Sequence, residues 1–167
     1  MAELSTAPFR ISRDFDAPRD KVWKAWTEPE RLKQWWGPRG FKTHTCTVDL
    51  RPGGFFHYGM TAPDGTETWG RFLYREIVPP ERMVVIVSFS DRELGVTRHP
   101  WSPQWPLHIL STMTLEALGG KKTRVSVEWV PYEATEEERK TFFEGRDSMQ
   151  QGWTGTLDQL VAYLAKG

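Results

Sequence analysis

The strongest constraint on this chain lies near its end. Phe142, Arg146, Met149, Trp153, Leu157, Leu160, Val161 and Leu164 step at three, four and seven, which lays them along one helix face. Thr135 with Glu138 three residues on forms a capping box, and Glu136 and Glu137 add negative charge where a helix start favours it. One long helix is therefore expected from Thr135 nearly to the C-terminus. Gly145, Gly152 and Gly155 work against it, each costing about 1 kcal/mol relative to alanine in a helix interior. Gly145 and Gly152 share a face, so they either kink or break the helix or let a sheet, loop or ligand come close.

The chain before it reads as the sheet that such a helix must cover. Phe9, Ile11 and Phe15 alternate with Arg10, Ser12 and Asp14, a first strand buried on one face. After Pro18, Val22, Trp23 and Trp26 recur at helical intervals. Pro29 then opens a second short helix bearing Leu32, Trp35 and Trp36, closed by Gly37-Pro38. Strands follow over Thr45 to Leu50, Phe55 to Thr61, Thr66 to Val78 and Met83 to Phe89. Their separators, Arg51-Pro52-Gly53-Gly54, Pro63-Asp64-Gly65 and Pro79-Pro80-Glu81, are short turns that favour antiparallel neighbours. Leu107 to Leu115 and Thr123 to Val130 make two more strands around Gly119-Gly120. Between Asp91 and Pro106, Pro100, Pro103 and Pro106 alternate with Trp101 and Trp105, and prolines this close forbid a regular element, so a long loop is expected.

The fold class is thus α+β: a curved antiparallel sheet of about seven strands around a long C-terminal helix, with two short helices after the first strand. At 167 residues the prior is a single domain over 1–167. Alternation puts Ile109, Ser111, Met113 and Leu115, with Val125, Val127 and Trp129, on the inner face. Phe56, Tyr58 and Met60 join them, and His57 points the other way. The fourth strand stays open, since Trp69, Arg71 and Leu73 compete with Gly70, Phe72 and Tyr74 for the interior. Aromatic side chains on both walls either fill a solid core or hold a pocket apart.

Charge and motif content exclude several classes. Lysine plus arginine and aspartate plus glutamate total 22 each, so no global field draws the chain onto nucleic acid. Cys46 stands alone, which forbids an intrachain disulfide and a multi-cysteine zinc site, and it reads as a small buried thiol. No run of 18 apolar residues or signal-like segment occurs, so a soluble cytoplasmic protein without membrane insertion is expected. His44, His57, His99 and His108 lack metal-ligand spacing. Phosphate-loop, dinucleotide-loop and nucleophile-elbow motifs are missing as well. No cofactor, metal or catalytic residue is therefore assigned. Asp49, Glu67, Glu76 and Glu128 read as solvated carboxylates. Arg71 and Arg146, if inward, need a carboxylate or an anionic ligand, an ion pair being the default.

Four blocks carry a family resemblance: Thr27-Glu28-Pro29-Glu30-Arg31-Leu32-Lys33-Gln34-Trp35-Trp36-Gly37-Pro38, Asp49-Leu50-Arg51-Pro52-Gly53-Gly54-x-Phe56, Glu76-Ile77-Val78-Pro79-Pro80-Glu81-Arg82, and Gly152-Trp153-x-x-x-Leu157-Asp158-Gln159-Leu160-x-x-Tyr163-Leu164. Together they resemble the family of the C-terminal domain of the activator of Hsp90 ATPase, within the START-like or Bet v 1-like superfamily. The resemblance implies a helix-grip fold whose sheet wraps the C-terminal helix and leaves a cavity for an apolar or amphipathic small molecule. That superfamily includes lipid and sterol carriers, plant hormone receptors and polyketide aromatases and cyclases, so fold alone selects no activity. Two departures stand out. The eukaryotic-type co-chaperone has an additional N-terminal domain for which this length leaves no room, so Hsp90 is not expected as a partner. The loop from Asp91 to Pro106 looks like an insertion, expected to fold across the cavity mouth with Trp101 or Trp105 at the opening.

The leading expectation is a soluble binding protein for a small hydrophobic or aromatic ligand, held between the long helix and the sheet. Trp35, Trp36, Phe56, Tyr58 and Trp69 are expected to line the site from the front of the chain. Met113, Trp129, Met149 and Trp153 are expected to line it from the rest, with Arg71 or Arg146 as polar anchors. Two alternatives stay open: a cyclase- or aromatase-like enzyme using the same cavity, and an interaction module like the Hsp90 activator. A homodimer is compatible with each.

Overall fold

The computed structural model describes residues 7–38, 40–99 and 102–166. Strand β1 (Phe9–Phe15) leads into α1 (Arg19–Thr27) and α2 (Pro29–Trp35), joined at Glu28, which caps the end of one helix and the start of the next. Pro29 at the first helical position explains the economy of this joint, because its missing N–H would have had no partner there. A meander follows: β2 (Lys42–Val48), β3 (Phe55–Thr61), β4 (Glu67–Val78) and β5 (Arg82–Ser90). The two-residue β6 (Val96–Thr97) pairs with the end of β5 inside the long connection, and β7 (Ile109–Ala117) and β8 (Thr123–Pro131) complete the sheet. Gly53, Gly65 and Gly119 take φ of +86°, +89° and +92° in the turns, a backbone region that glycine enters without strain.

The sheet is antiparallel throughout, in the order β1-β8-β7-β5-β4-β3-β2. Register shifts between Thr43 and Thr45 in β2 and between Tyr74 and Glu76 in β4 mark irregularities of the kind that bend a strand and increase its twist. Across the concave side run α3 (Glu136–Glu144) and α4 (Arg146–Ala165). This is the α+β helix-grip arrangement.

The single long helix expected from the apolar stripe is two helices. Gly145 is the last cap of α3 and the first of α4, at φ −90° and ψ 10°; its N–H bonds to the carbonyls of Thr141 and Phe142, and its own carbonyl accepts from Met149. Gly152 and Gly155 lie inside α4 without breaking it. At the head of α3 the capping box forms in full: Thr135 Oγ1 accepts from the Glu138 N–H, and the Glu138 carboxylate accepts from the Thr135 N–H.

Packing decides the ambiguous fourth strand. Thr68, Gly70, Phe72 and Tyr74 face the helix, and Trp69, Arg71 and Leu73 face away. Gly70 is the reason, because Tyr58 opposite it lays its ring over the bare backbone; a Cβ there would stand 2.4 Å from the Tyr58 hydroxyl. Gly59 does the same on the outer face, where Trp69 lies over it beside His44 and His57. The inward-facing arginine turns out to be Arg13, on the face of β1 shared with Phe9 and Phe15, and its guanidinium meets Asp158 of α4 at 2.6 Å.

Under the first half of the sheet sits a cluster of indoles. Trp35 is buried and donates its N–H to the Ala25 carbonyl at 3.0 Å. Trp26 meets Trp35 edge-on at 4.8 Å and stacks on Trp153 at 6.1 Å. Such pairs each contribute about 0.5–1.5 kcal/mol beyond their area burial. Gln159 of α4 donates to the carbonyls of Trp35, Gly37 and Pro38, fastening the end of α2 to the long helix.

The Tyr58 seat gives a direct test. Gly70→Ala is expected to destabilise the protein by about 1–3 kcal/mol, the usual cost of overpacking, measured by urea denaturation. A neutral effect would mean that Tyr58 does not rely on the missing Cβ.

Candidate functional site

Helix α4 crosses the concave face without filling it. Two adjoining spaces of about 490 and 220 Å³ remain. They share Tyr58, Val87, Phe89, Trp129, Met149 and Gly152 as walls. The smaller chamber is bounded by Trp36, Phe72 and Trp153, with Met60, Thr68 and Thr156 beside them. The larger, outer one opens between the helix joint and the long connection, past Trp105, Pro106, Thr141 and Ser148. One face of α4 serves both: Ser148, Met149, Gly152, Trp153 and Thr156 fall at helical spacing along it. Gly152 sits where the chambers meet, and a Cβ built on it finds nothing within 4 Å.

Of the side chains expected from sequence, Trp36, Tyr58, Trp105, Trp129, Met149 and Trp153 border this space. Trp69 borders it through its strand, while its indole lies on the outer face and donates to Glu67. Trp35 and Phe56 stand behind the wall, the first held by Ala25 and the second packed against Trp36 at 5.5 Å. Met113 faces a void of only about 10 Å³ deeper in the core. Trp101 lies outside the described residues.

The two proposed polar anchors are corrected. Arg71 is carried outward by the strand alternation that Gly70 enforces, and it donates to the Leu94 carbonyl at 2.9 Å. Arg146 falls at the joint between α3 and α4, where it donates to the carbonyls of Phe143 and Ala7 and lies over the Phe143 ring. Sequence reasoning passed over His99, Val87, Phe89, Ile109 and Ser148, all of which line the outer chamber. The seven-residue spacing of Gly145 and Gly152 was the available signal for the helix side.

The mouth is organised by the connection from β5 to β7. Asp91 Oδ1 accepts from the N–H groups of Glu93 and Gly95, turning the chain back so that β6 can pair. Beyond it His99 packs on Phe89 at 4.7 Å and on Trp105 at 6.0 Å. The His99 Nδ1 accepts from the Ser102 N–H at 3.1 Å, which leaves the proton of the neutral ring on Nε2. Burial holds this imidazole below its ordinary range. Trp105 leans on Phe142 at 5.6 Å and lies 3.4 Å from the position of a Cβ at Gly145. The joint between the helices thus lies within van der Waals reach of the tryptophan at the opening. Arg98 ties the connection down, donating to the Glu138 carboxylate and to the Trp105 carbonyl.

The wall is chemically quiet. Its titratable side chains are Tyr58, whose phenol burial pushes upward, and His99. Cys46, part-buried on the inner face of β2 opposite Tyr58, is pushed up to about 11 by the same cause, so it is a thiol at neutral pH. His57 is bonded to the Asp91 carbonyl, His108 to Ser88 and His44 to Thr45. Among the described residues no group of three histidine, cysteine or carboxylate side chains could hold a metal ion. None of the described helices is long and apolar enough to cross a membrane.

A profile of the family described as activator of Hsp90 ATPase homolog 1-like protein matches residues 16–165. No curated protein matches the chain. Among solved structures, a protein of Arthrobacter aurescens studied by solution NMR is 26% identical, with a TM-score of 0.80 over 100% of this chain and 91% of its own. A crystal structure from Nitrosomonas europaea is 25% identical, with a TM-score of 0.73 over 97% and 96%. Another from Silicibacter pomeroyi, labelled with the same family, is 19% identical with a TM-score of 0.71 over 95% and 98%, a likeness of fold.

The tether at the mouth predicts a pH response. Glu138 is held below its ordinary value of 4.5, first by the Thr135 N–H and then by Arg98. A carboxylate lowered on folding adds stability that is complete above its unfolded value and is lost as pH falls through the folded one. The melting-temperature gap between the native chain and Glu138→Gln should therefore narrow as pH drops below 4.5. A gap that holds constant down to about pH 3 would remove the role assigned to the charge.

Proposed function

The chain belongs to the activator of Hsp90 ATPase homolog 1-like family, and from that footing we propose that it binds a small hydrophobic or aromatic molecule between α4 and the sheet. The helix-grip fold of this family is typical of ligand-binding domains. The observation that carries the reading is the unfilled, indole-walled space beneath α4, whose larger chamber opens beside Trp105. Removing apolar surface from water supplies about 25 cal/mol per Å², so a flat guest lying against Trp36, Trp129 and Trp153 needs few polar contacts to be held.

Simple binding is favoured over turnover by the state of the wall. Proton transfer needs a group poised near the working pH. Burial pushes Tyr58 away from that range and lowers His99, whose Nδ1 already accepts a bond from the Ser102 N–H. The lone Cys46, kept as a thiol, suits a reducing cytoplasmic setting, which is part of the same proposal.

Gly152 supplies the experiment. With open space where its Cβ would stand, Gly152→Ala is expected to raise stability by about 1 kcal/mol through helix propensity. Gly152→Leu is expected to fill the junction of the chambers while the fold stays intact. Titration with N-phenylnaphthylamine, an uncharged dye that brightens in apolar surroundings, should show binding to the native chain and at least roughly tenfold weaker binding to Gly152→Leu. Equal binding by both, at equal thermal stability, would place the dye elsewhere and end the proposal.

A further inference from the structure

A second recess, of about 390 Å³, lies between α2 and the edge strand β2, apart from the space beneath α4. Of the described residues that border it, Trp36 alone also borders the chambers of the first. Trp35, Trp36 and Phe41 give the recess an apolar side. Lys33 from α2 and Lys42 from β2, both exposed, border it from two different elements.

Charge is distributed unevenly in this corner. From Arg31 to Val48 the sequence holds Arg31, Lys33, Arg39 and Lys42 and no carboxylate, within a chain whose charges balance overall. Arg31 is paired with Glu28, and Arg39 lies outside the described residues. Lys33 and Lys42 make no ion pair or hydrogen bond with any described residue. Two carboxylates lie close in sequence to the recess. Asp158, beside Gln159, is engaged by Arg13, and Glu30, one turn before Lys33, is exposed and does not border the recess. The carbonyls at the end of α2, which would attract an ammonium, already accept bonds: those of Trp35, Gly37 and Pro38 from the Gln159 amide, and that of Trp36 from the Thr43 hydroxyl. Burial pushes the Cys46 thiol up and the charge of Lys33 pulls it the other way, which places that ammonium on the β2 side of its helix.

We propose that this recess is a second binding site, for a small organic phosphate monoester. The phosphate lies between Lys33 and Lys42, and the organic part lies against Phe41. A phosphate monoester carries about −1.5 to −2 charges at pH 7, which matches two ammoniums where a carboxylate matches one. Each lysine meets it as a point charge with three rotatable donors, so two flexible stems converge on one group without a preformed fork. The site stands whether or not a guest occupies the space beneath α4.

Equilibrium dialysis with phenyl phosphate tests this. The native chain is expected to bind it, with affinity falling as salt rises from about 50 to 200 mM. Lys33→Gln and Lys42→Gln should each weaken binding by roughly three- to tenfold, and the double variant by more than either, with melting temperatures unchanged because both positions are exposed. Lys140→Gln on α3 and Gly152→Leu in the first cavity should bind as the native chain does. No binding by the native chain, or native affinity in the double variant, would overturn the site. Lost binding in Gly152→Leu would overturn its separateness by putting the ligand beneath α4. Benzoate held as tightly as phenyl phosphate would overturn the choice of a phosphate, and inorganic phosphate held as tightly would overturn the role of Phe41.

Discussion

The contact between α4 and the concave face of the sheet is limited by the size and stiffness of the rings that meet there. Leucines along the last turns of the helix, Leu157, Leu160 and Leu164, are buried, and that end is firmly seated by Gln159 and by the Arg13–Asp158 pair. Further up, Trp153 is caught between Trp26, Trp36 and Trp129, with ring separations of 5.6 to 6.1 Å. Indoles fixed edge-on and stacked cannot slide together to close a gap as aliphatic chains would. The helix is thereby propped at the height of the tryptophans, and Gly152, next along its face, contributes no atoms to the space that results. A solid core would need either a side chain there or smaller rings below.

The break at Gly145 belongs to the same geometry. Gly145 leaves helical backbone at φ −90° and ψ 10°, and Trp105 lies within van der Waals reach of it. With glycine there, α3 closes on one turn and α4 opens on the next, and the indole rests against the joint and Phe142. The connection from β5 to β7 is thus held from both sides: β6 anchors it to the sheet, and Arg98 anchors it to the capped start of α3. Loss of the Thr135 cap would loosen the carboxylate that Arg98 grips, so the order of the mouth depends on a helix terminus more than on the cavity wall.

Much of this fold is legible in the chain because local rules decide it. The capping box at Thr135, the proline at the head of α2, the glycine turns and the alternation in β3, β7 and β8 each act within a few residues. Faces are harder where both alternatives offer large side chains. In β4 the decision is made across the sheet, by Tyr58 needing the bare backbone of Gly70, and nothing within β4 itself records that need. The misplacement of Arg71 as an anchor follows from that, and that of Arg146 from the break at Gly145. Arg13 escaped notice because a lone charge in an apolar alternation reads as an exception, whereas its partner Asp158 lies on the far helix. The choice between core and cavity was also closed to sequence, since an aromatic stripe has the same pattern whether its rings meet or stand apart.

The distribution of charge follows the same logic as the packing. An arginine facing the helix could have stood beside the chambers; the one that does, Arg13, lies at the edge strand and is matched by Asp158. Glu138 is buried but faces the helix cap and Arg98. Each ion thus has its counter-charge or carbonyl outside the space lined by indoles, and the interior of that space keeps a low dielectric. With these ions spent on partners elsewhere, apolar contact and shape are the main terms such a wall offers to what enters it.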